Sequence, residues 1–280
     1  MEKAIQRYWP VFVLPTLLAF IIGFIWPFIW GVALSFCKFT TVQNVTFVGL
    51  GNYAKIWLDD TFTHAFWFTA VFTVVSTVLI NVLAFGIALL LTRGIRGTNI
   101  FRTTFFMPNL IGGIILGYIW QILLNGVLSA LEKPLLSLNA TYGFLGLVIL
   151  MCWQQIGYMM IIYVAGLQSV PGDLIEAAKI DGANEWHIFW NICLPQCRSA
   201  LYSIAILVFI DNWNMVEQPL ILLNDVEKQP LSMFLSSINA GEIGIAFAAA
   251  VIYMIPGLLL FLHGEAYLVE GIAHSGSVKG

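Results

Sequence analysis

The stretch "LIEAAKIDGANEWHIFWNICLP" (Leu174–Pro195) lies between two long apolar segments and differs from both in composition. Together with the preceding residue it gathers the carboxylates of Asp173, Glu176, Asp181 and Glu185, and Lys179 is the nearby cation. Gly182 divides the stretch into two parts of helix-forming composition. Because neither part continues the flanking apolar segments, the stretch predicts a folded polar insert between them.

The composition of the whole chain indicates a membrane protein. Of its 280 residues, 60% are hydrophobic and 10% are charged, whereas soluble domains carry about 25% charged residues. The formal net charge is -3, and no run of basic residues is present. This charge distribution excludes nucleic acid as an expected partner.

Apolar segments of sufficient length to cross a bilayer recur along the chain. A transmembrane helix needs about 20 predominantly apolar residues. The sequence predicts six spans, at about residues 12–36, 65–91, 104–127, 143–167, 199–223 and 243–269. We therefore expect an all-α membrane protein with six transmembrane helices, a single transmembrane domain over residues 1–280, and the insert at 168–198.

The distribution of lysine and arginine predicts the orientation, because cytoplasmic loops are enriched in these residues. With the N-terminus inside, the inner side carries Lys3, Arg7, Arg93, Arg96, Arg102, Lys179, Arg198 and Lys279. The outer side then carries Lys38, Lys55, Lys133 and Lys228. This bias predicts a multi-pass protein of a prokaryotic cytoplasmic membrane, with both termini and the insert in the cytoplasm.

The first half of the insert is predicted to be a short, exposed helix. Pro171 suits a first helical turn, and Asp173 is the expected cap of a helix that ends near Ile180. One narrow apolar face is formed by Leu174, Ala177 and Ala178. Gly182 tolerates a positive φ and is expected to end this helix.

The second half of the insert is predicted to be a helix that lies against the membrane-embedded part. An apolar stripe at helical spacing is formed by Trp186, Phe189, Trp190 and Cys193. Pro195 is expected to end this helix before the next span. A helix-turn-helix of this kind leaves an acidic, small-residue surface for a basic partner, and the alternative is a solvated loop with incidental charge.

The residues of the insert also carry a resemblance to a known family. Its motif consists of Glu176, Ala177, Ala178, Asp181, Gly182, Ile192, Leu194 and Pro195. This pattern resembles the "EAA…G…I-LP" coupling motif of permease subunits of binding-protein-dependent ABC importers. The segments "FVGLGNY" (Phe47–Tyr53), "RGIRGTNIFRTTFFMPN" (Arg93–Asn109) and "WNMVEQPLILL" (Trp213–Leu223) resemble the carbohydrate-uptake branch, the maltose/glycerol-phosphate-type permeases. Ser199 departs from the family, which commonly has proline there.

The resemblance implies a type I ABC importer permease fold whose insert couples ATPase closure to alternating access. The implied partners are a second permease subunit, expected to be a different chain, two ATPase subunits, an extracellular solute-binding protein, a sugar substrate and membrane lipid. The chain contains no Gly-Lys dipeptide and hence no phosphate-binding P-loop. No cofactor is therefore expected in this chain, and ATP and Mg belong to the ATPase subunits. The chain is expected to be a transport subunit and not an enzyme.

Polar and aromatic side chains within the fourth and fifth predicted spans are candidates for the substrate pathway. They are Trp153, Gln154, Tyr158, Asp211, Trp213, Asn214, Glu217 and Gln218. Polar groups are costly in lipid and usually face the protein interior. Asp211, Asn214 and Gln218 have the spacing of one helix face, and the aromatic residues offer surfaces on which sugars stack. The alternative is that these groups hold helices together.

Other functions remain open at this stage. Within ABC importers, the substrate is a sugar or another polar solute such as glycerol phosphate or a polyamine. An ion-coupled secondary transporter would need Asp211 and Glu217 as its coupling groups. No catalytic motif is present, and Cys193 and Cys197 lack further residues at metal-ligand spacing, so neither a catalytic site nor a metal site is expected.

Overall fold

The computed structural model describes residues 2–39, 44–92, 96–223, 229–238 and 243–277. In chain order its helices are α1 (Glu2–Phe20), α2 (Trp26–Ser35), α3 (Gly51–Trp57), α4 (Asp60–Thr92), α5 (Thr98–Phe106), α6 (Gly113–Ala130), α7 (Ala140–Gln168), α8 (Gly172–Ile180), α9 (Glu185–Ile188), α10 (Leu194–Gln196), α11 (Arg198–Trp213), α12 (Glu217–Leu222), α13 (Leu231–Ser237) and α14 (Ile243–Ser277). Two π-helical segments, Ile21–Ile25 and Phe189–Cys193, and one 3-10 helix, Met107–Leu110, connect some of them. Strands β1 (Cys37–Lys38) and β2 (Thr46–Phe47) pair antiparallel, with Cys37 opposite Phe47.

Six helical stretches of the described chain are long and apolar enough to cross a membrane. They are Val13–Ser35, Asp60–Thr92, Gly113–Ala130, Ala140–Gln168, Arg198–Leu222 and Ile243–Tyr267. The predicted all-α class with six spans is thereby confirmed. Arg93, Lys228 and Lys279, which contribute to the predicted orientation, lie outside the described residues.

The chain forms two compact units, residues 1–63 with 235–255 and residues 64–234 with 256–280. The single domain over residues 1–280 stays a prediction. In the first unit, Asn52 is buried, and its Nδ2 donates to the carbonyl oxygens of Ser35 at 2.8 Å and Cys37 at 2.9 Å. The Ser35 hydroxyl also lies 2.6 Å from the hydroxyl of Tyr53. The "FVGLGNY" segment therefore satisfies the carbonyl groups at the end of α2.

Each π-helical segment ends two residues before a proline. The amide of Trp26 donates to Ile21 O before Pro27, and the amide of Leu194 donates to Phe189 O before Pro195. A proline lacks an N–H and clashes with the carbonyl four residues earlier, and the wider π turn relieves this clash. The prediction that Pro195 ends the helix was therefore wrong, and the helical path ends instead at Cys197, with φ -87° and ψ 4°.

The third span begins later than predicted, because the segment before it is bent. Helix α5 ends before Pro108, and Ile111 is extended, with φ -86° and ψ 127°. Helix α6 then begins at Gly113, so the predicted span at 104–127 combined two helices. Proline suits the first turn of a helix but cannot continue one, so Pro108 begins a new helical segment and α5 ends before it.

The core of the second unit is built around α7. Fully buried side chains of α7 and α4 pack in one cluster, among them Leu147, Leu150, Met160, Phe72 and Ile80. The hydroxyl of Tyr163 donates to Asn81 Oδ1, which links the same two helices within this apolar surrounding. A paired polar contact of this kind holds helices together where lipid offers no partner.

Helix α7 also allows a very close backbone contact at Gly157. A Cβ atom at Gly157 would lie 1.7 Å from Phe105 O and 2.7 Å from Phe106 N. The end of α5 therefore rests directly on the backbone of α7, and only glycine permits this approach.

We predict that Gly157→Ala destabilises the protein, because an added methyl group would displace backbone and not a flexible side chain. Overpacking of this kind costs about 1–3 kcal/mol or more. The measurement is the thermal unfolding midpoint of the detergent-solubilised protein. The matched control is Gly86→Ala in α4, where a Cβ meets no atom within 4 Å. Equal midpoints for the two variants would contradict the close contact.

Candidate functional site

Most side chains of α8, the first helix of the insert, are exposed. Asp173, Glu176 and Asp181 are exposed, and the apolar side chains of Leu174 and Ile180 are 45% and 80% exposed. The prediction that Asp173 caps this helix was wrong, because Pro171 is the capping residue and no side chain caps it. Asp173 lies in the first turn instead, where its charge is favourable to the helix dipole.

The turn that ends α8 is a Schellman motif. Gly182 has φ +83°, as its position after the helix predicts. The amide of Ala183 donates to Ala178 O at 2.9 Å, and the amide of Gly182 donates to Lys179 O at 3.1 Å. These two bonds satisfy the last carbonyl groups of the helix and fix the direction of the chain that follows.

Asn184 begins the second helix and was not singled out from the sequence. Its Oδ1 accepts the amide of His187 at 2.7 Å, and its carbonyl accepts the amide of Ile188 at 3.0 Å. An asparagine directly before an apolar periodic segment is the usual signal for such a cap. The pair of helices therefore has a defined end and a defined beginning on either side of one turn.

The second helix of the insert runs from Glu185 through the π-helical segment to Gln196. The side chains through which it packs differ in part from the predicted stripe. Ile188 is buried, and the Phe189 ring lies 5.8 Å from that of Phe85 in α4. Trp186 and Trp190 are 70% and 56% exposed, so they lie outside the packed face. The predicted stripe was therefore correct only for Phe189 and the half-buried Cys193. Of the remaining motif residues, Ile192 and Leu194 are half-buried and Pro195 is exposed.

The cysteines near the end of the insert behave as packing residues. Burial, and to a lesser degree Cys193, raises the pKa of Cys197 to about 11. A protonated thiol is a poor metal ligand. Within the described part of the chain, no group of three or more His, Cys, Asp or Glu side chains is placed to hold a metal ion.

A polar cavity of about 510 Å³ lies within the second unit. It is lined by Asn109, Met151, Gln154, Gln155, Tyr158, Met159, Ile210, Asp211, Asn214, Met215, Val216, Glu217 and Gln218. All the polar candidates chosen from the fourth and fifth spans line this one cavity. Among the candidates, Trp153 and Trp213 do not line it.

Both tryptophans pack against other aromatic rings. The ring of Trp153 lies 5.4 Å from that of Trp120, edge to face. Trp213 is buried and stacks on Phe209 at 5.6 Å, and the Phe66 ring meets it edge to face at 6.2 Å. The cavity therefore offers Tyr158 as its aromatic surface, and its remaining polar groups are amides and carboxylates.

The fifth span is broken where it meets the cavity. Helix α11 ends at Trp213 and α12 begins at Glu217, so the predicted continuous face of Asp211, Asn214 and Gln218 was wrong. Pro219 has no N–H for the carbonyl of Met215, and that carbonyl accepts the Ser232 hydroxyl at 2.5 Å instead. The break nevertheless directs all three predicted side chains toward the cavity.

A glycine stripe on α6 positions α12. A Cβ at Gly113 would lie 2.3 Å from Glu217 Oε2, and one at Gly117 would lie 3.1 Å from Ile221 Cβ. One turn further, Gln121 Nε2 donates to Ile221 O at 2.7 Å. This contact was not predicted from the sequence, although the Gly-x-x-x-Gly spacing is a known signal for close helix packing in membranes.

The amides of the cavity wall are only partly paired with one another. Gln218 Nε2 donates to Gln154 Oε1 at 2.9 Å, which joins α12 to α7. Gln155 is 7% exposed, and its Oε1 has no hydrogen-bond partner among the described residues. Asn109 reaches the cavity from the 3-10 helix after α5, and its position depends on the bend at Pro108. Asn109 was not among the predicted pathway residues.

Comparison with known proteins identifies one family, and the residues that it matches include both the insert and the cavity. The family described as "Binding-protein-dependent transport system inner membrane component" matches residues 84–268. A probable starch degradation products transport system permease protein of Thermoanaerobacterium thermosulfurigenes is 38% identical over 259 residues, which are 88% of this chain and 88% of that protein. An sn-glycerol-3-phosphate transport system permease protein of Brucella abortus is 30% identical and covers 74% of this chain and 75% of its own length.

The fold also matches a solved structure. A chain of a bacterial alginate ABC transporter, solved in complex with an alginate pentasaccharide-bound periplasmic protein, superposes with a TM-score of 0.76. The match covers 94% of this chain and 95% of that chain, at 19% sequence identity. With the six described spans, this likeness confirms the predicted type I permease fold.

We predict that Gly182→Val loosens the turn between the two insert helices. A β-branched residue at positive φ costs about 1–2 kcal/mol, so amides near Ala183 should exchange with solvent roughly 5- to 30-fold faster. The measurement is hydrogen exchange by mass spectrometry on the membrane-reconstituted protein. The control is Gly172→Val at the other end of α8, where φ is not positive. Unchanged exchange in Gly182→Val would show that the turn does not depend on this glycine.

Proposed function

Because the chain belongs to the family of binding-protein-dependent transport system inner membrane components, we propose that it is a pathway subunit of an ATP-driven sugar importer. Members of this family are membrane components of transport systems, so the chain is a transport subunit and not an enzyme. An ion-coupled secondary transporter is not supported by this membership. In the proposed complex, the chain forms part of a transmembrane pathway, and its insert transmits the movement of an ATPase.

The sugar assignment is supported by sequence similarity and by the chemistry of the cavity. The relative that is 38% identical bears a name for the transport of starch degradation products. Amide and carboxylate groups that converge on one cavity can hydrogen-bond the hydroxyl groups of a sugar, and Tyr158 supplies an aromatic surface. A relative named for glycerol phosphate transport keeps that solute as the second candidate.

The observation that carries the coupling proposal is the exposure of α8. A nine-residue helix that leaves Leu174 and Ile180 in solvent has an unused apolar surface, and Glu176 and Asp181 lie exposed beside it. Ala177 permits close approach of another surface. We infer that this helix docks in a basic cleft of an ATPase subunit, which binds ATP and Mg. The second helix, held to α4 through Phe189, passes the movement to the spans.

The remaining partners follow from the same family membership. A second permease subunit, expected to be a different chain, completes the pathway, and an extracellular binding protein delivers the sugar. The protein lies in the prokaryotic cytoplasmic membrane. We propose that both termini and the insert face the cytoplasm, as the distribution of lysine and arginine indicates.

We predict that Glu176→Lys weakens association with the ATPase subunit. The change places a cation where the proposed cleft is basic, and disruption of an interfacial charge pair should reduce affinity roughly 10-fold or more. The measurement is the amount of ATPase that co-purifies with the tagged permease at low and high salt.

The control for this experiment is Asp60→Lys, which makes the same charge change on the predicted outer side. It should leave co-purification unchanged. If Glu176→Lys also recovers the ATPase at the wild-type level, Glu176 is not a docking contact. A loss in both variants would point to a general assembly defect.

We predict that Asn214→Ala and Gln218→Ala both reduce sugar uptake. Loss of one hydrogen bond to substrate costs about 1–3 kcal/mol, which corresponds to a roughly 5- to 150-fold reduction at limiting sugar. Gln218→Ala also leaves Gln154 Oε1 without its 2.9 Å partner. The thermal unfolding midpoint should therefore fall for Gln218→Ala. Asn214 also bonds within the protein, from its Nδ2 to Ile210 O at 2.8 Å, so the midpoint of Asn214→Ala is measured as well.

Uptake of a labelled maltooligosaccharide by the full importer and the unfolding midpoint are measured on the same variants. Ser236→Ala, on an exposed side chain that does not line the cavity, controls for expression. If uptake persists in both cavity variants while stability falls, these side chains hold helices together and do not contact the sugar.

A further inference from the structure

The polar cavity of the second unit has an uneven distribution of charge. Its lining includes two carboxylates, Asp211 and Glu217, and both residues are exposed. The described lining contains no lysine, arginine or histidine. A cavity with acidic groups and low-dielectric walls concentrates a negative potential and disfavours the entry of anions.

The hydrogen-bonding groups of the cavity are also biased toward acceptors. A carboxylate accepts hydrogen bonds and donates none when it is ionised. Gln155 adds a further acceptor, because its side chain is 7% exposed and its Oε1 lacks a partner in the described structure. A buried acceptor without a partner costs about 1–3 kcal/mol unless a ligand or water donates to it. The cavity is therefore suited to a ligand rich in donor groups.

The two carboxylates are held by different elements, so their convergence is a property of the fold. Asp211 lies in the last turn of α11, and Glu217 is the first residue of α12 after the break. The close approach of α12 to Gly113 sets the position of the Glu217 carboxylate. A continuous fifth helix would not place the residues after the break against α6 in this way.

We propose that Asp211 and Glu217 act as a charge filter that admits uncharged, hydroxyl-rich solutes and excludes anionic ones. The hydroxyl groups of a neutral saccharide donate to the two carboxylates that line the cavity. A phosphate or a uronate presents charged acceptors to the same groups and is repelled. The identity of the solute as a sugar rests on the proposed function, whereas the sign of the cavity potential does not.

The proposed filter bears on two of the proteins that this chain resembles. One relative is named for the transport of sn-glycerol-3-phosphate, and the solved structure is of a transporter of alginate, which is an acidic polysaccharide. A transport pathway for such anions would be expected to offer arginine or lysine to the charged groups. With such a filter, the carboxylates of the cavity repel glycerol phosphate, so a neutral sugar stays the first candidate and glycerol phosphate the second.

The potential of the cavity can be measured without any sugar. A cysteine is introduced as Asn214→Cys, and separately as Tyr158→Cys, in a chain whose four native cysteines are replaced by alanine. Each protein is assembled in the full importer and treated with a cationic and an anionic methanethiosulfonate reagent of similar size. The ratio of the two modification rates, divided by the same ratio for a free small thiol, reports the local potential.

We expect the normalised ratio to favour the cationic reagent by about 10-fold or more, because a unit charge at 4 Å changes each rate roughly 5-fold even in water. Asp211→Asn and Glu217→Gln preserve shape, and together they should reduce the ratio about 5-fold or more. The matched control is Glu265→Gln, an exposed carboxylate of α14 that does not line the cavity and should leave the ratio unchanged.

The proposal is overturned if the normalised ratio is near one, or if the double substitution does not change it. Failure of both reagents to reach either cysteine overturns it as well, because a solute could not reach those positions. A ratio that favours the cationic reagent, in an importer that takes up no sugar, would refute the sugar assignment and leave the charge filter standing.

A second measurement tests the filter on solutes. Uptake of a neutral disaccharide by the full importer is followed in competition with the corresponding uronate. The uronate should compete at least about 5-fold better in the double variant than in the wild type. If the binding protein alone sets the discrimination, the wild type and the double variant will show equal competition, and the filter has no role in selectivity.

Discussion

Within a bilayer, a helix must satisfy its own backbone hydrogen bonds, and this chain departs from that rule at its polar cavity. The segment after α5 and the segment between α11 and α12 both interrupt helical structure there. Polar side chains donate hydrogen bonds to backbone carbonyl groups nearby. Ser232 donates to Met215 O, Asn214 Nδ2 donates to Ile210 O, and Gln121 donates to Ile221 O. Irregular backbone is tolerated at membrane depth where it lines a cavity, and the polar wall of this cavity follows from that condition.

The insert folds as a separate pair of helices while it stays covalently continuous with the spans on both sides. A Schellman turn at Gly182 and an Asn184 cap give it two helices with fixed ends. The second helix is held to α4 by Phe189, and the first helix is left exposed. A force applied to the first helix therefore reaches the spans through one turn and one packed helix. This arrangement suits the transmission of rigid-body movement.

The features that could be predicted from the sequence are those that depend on local chemistry. Span lengths follow from apolar content, and the positive φ of Gly182 follows from its place after a helix. The helix breaks before Pro108 and Pro219 were not predicted. Apolar residues flank both sites, so hydropathy alone gives one continuous span across each break. Trp213 was predicted to lie on the substrate pathway because an aromatic ring offers a surface on which a sugar stacks. Its contact with Phe209, four residues earlier on α11, has the i, i+4 spacing of a helix. Its contact with Phe66 of α4 depends instead on tertiary packing. Tertiary contacts of this kind have no signature in local spacing.

The backbone contact at Gly157 has a consequence for motion in the membrane. Side chains in an ordinary helix interface can change rotamer and allow two helices to slide. Between the end of α5 and α7 there is no intervening side chain at this point, since even a methyl group would overlap Phe105 O. Sliding of these two helices past one another at this point would bring backbone atoms into overlap, so the contact favours their movement together.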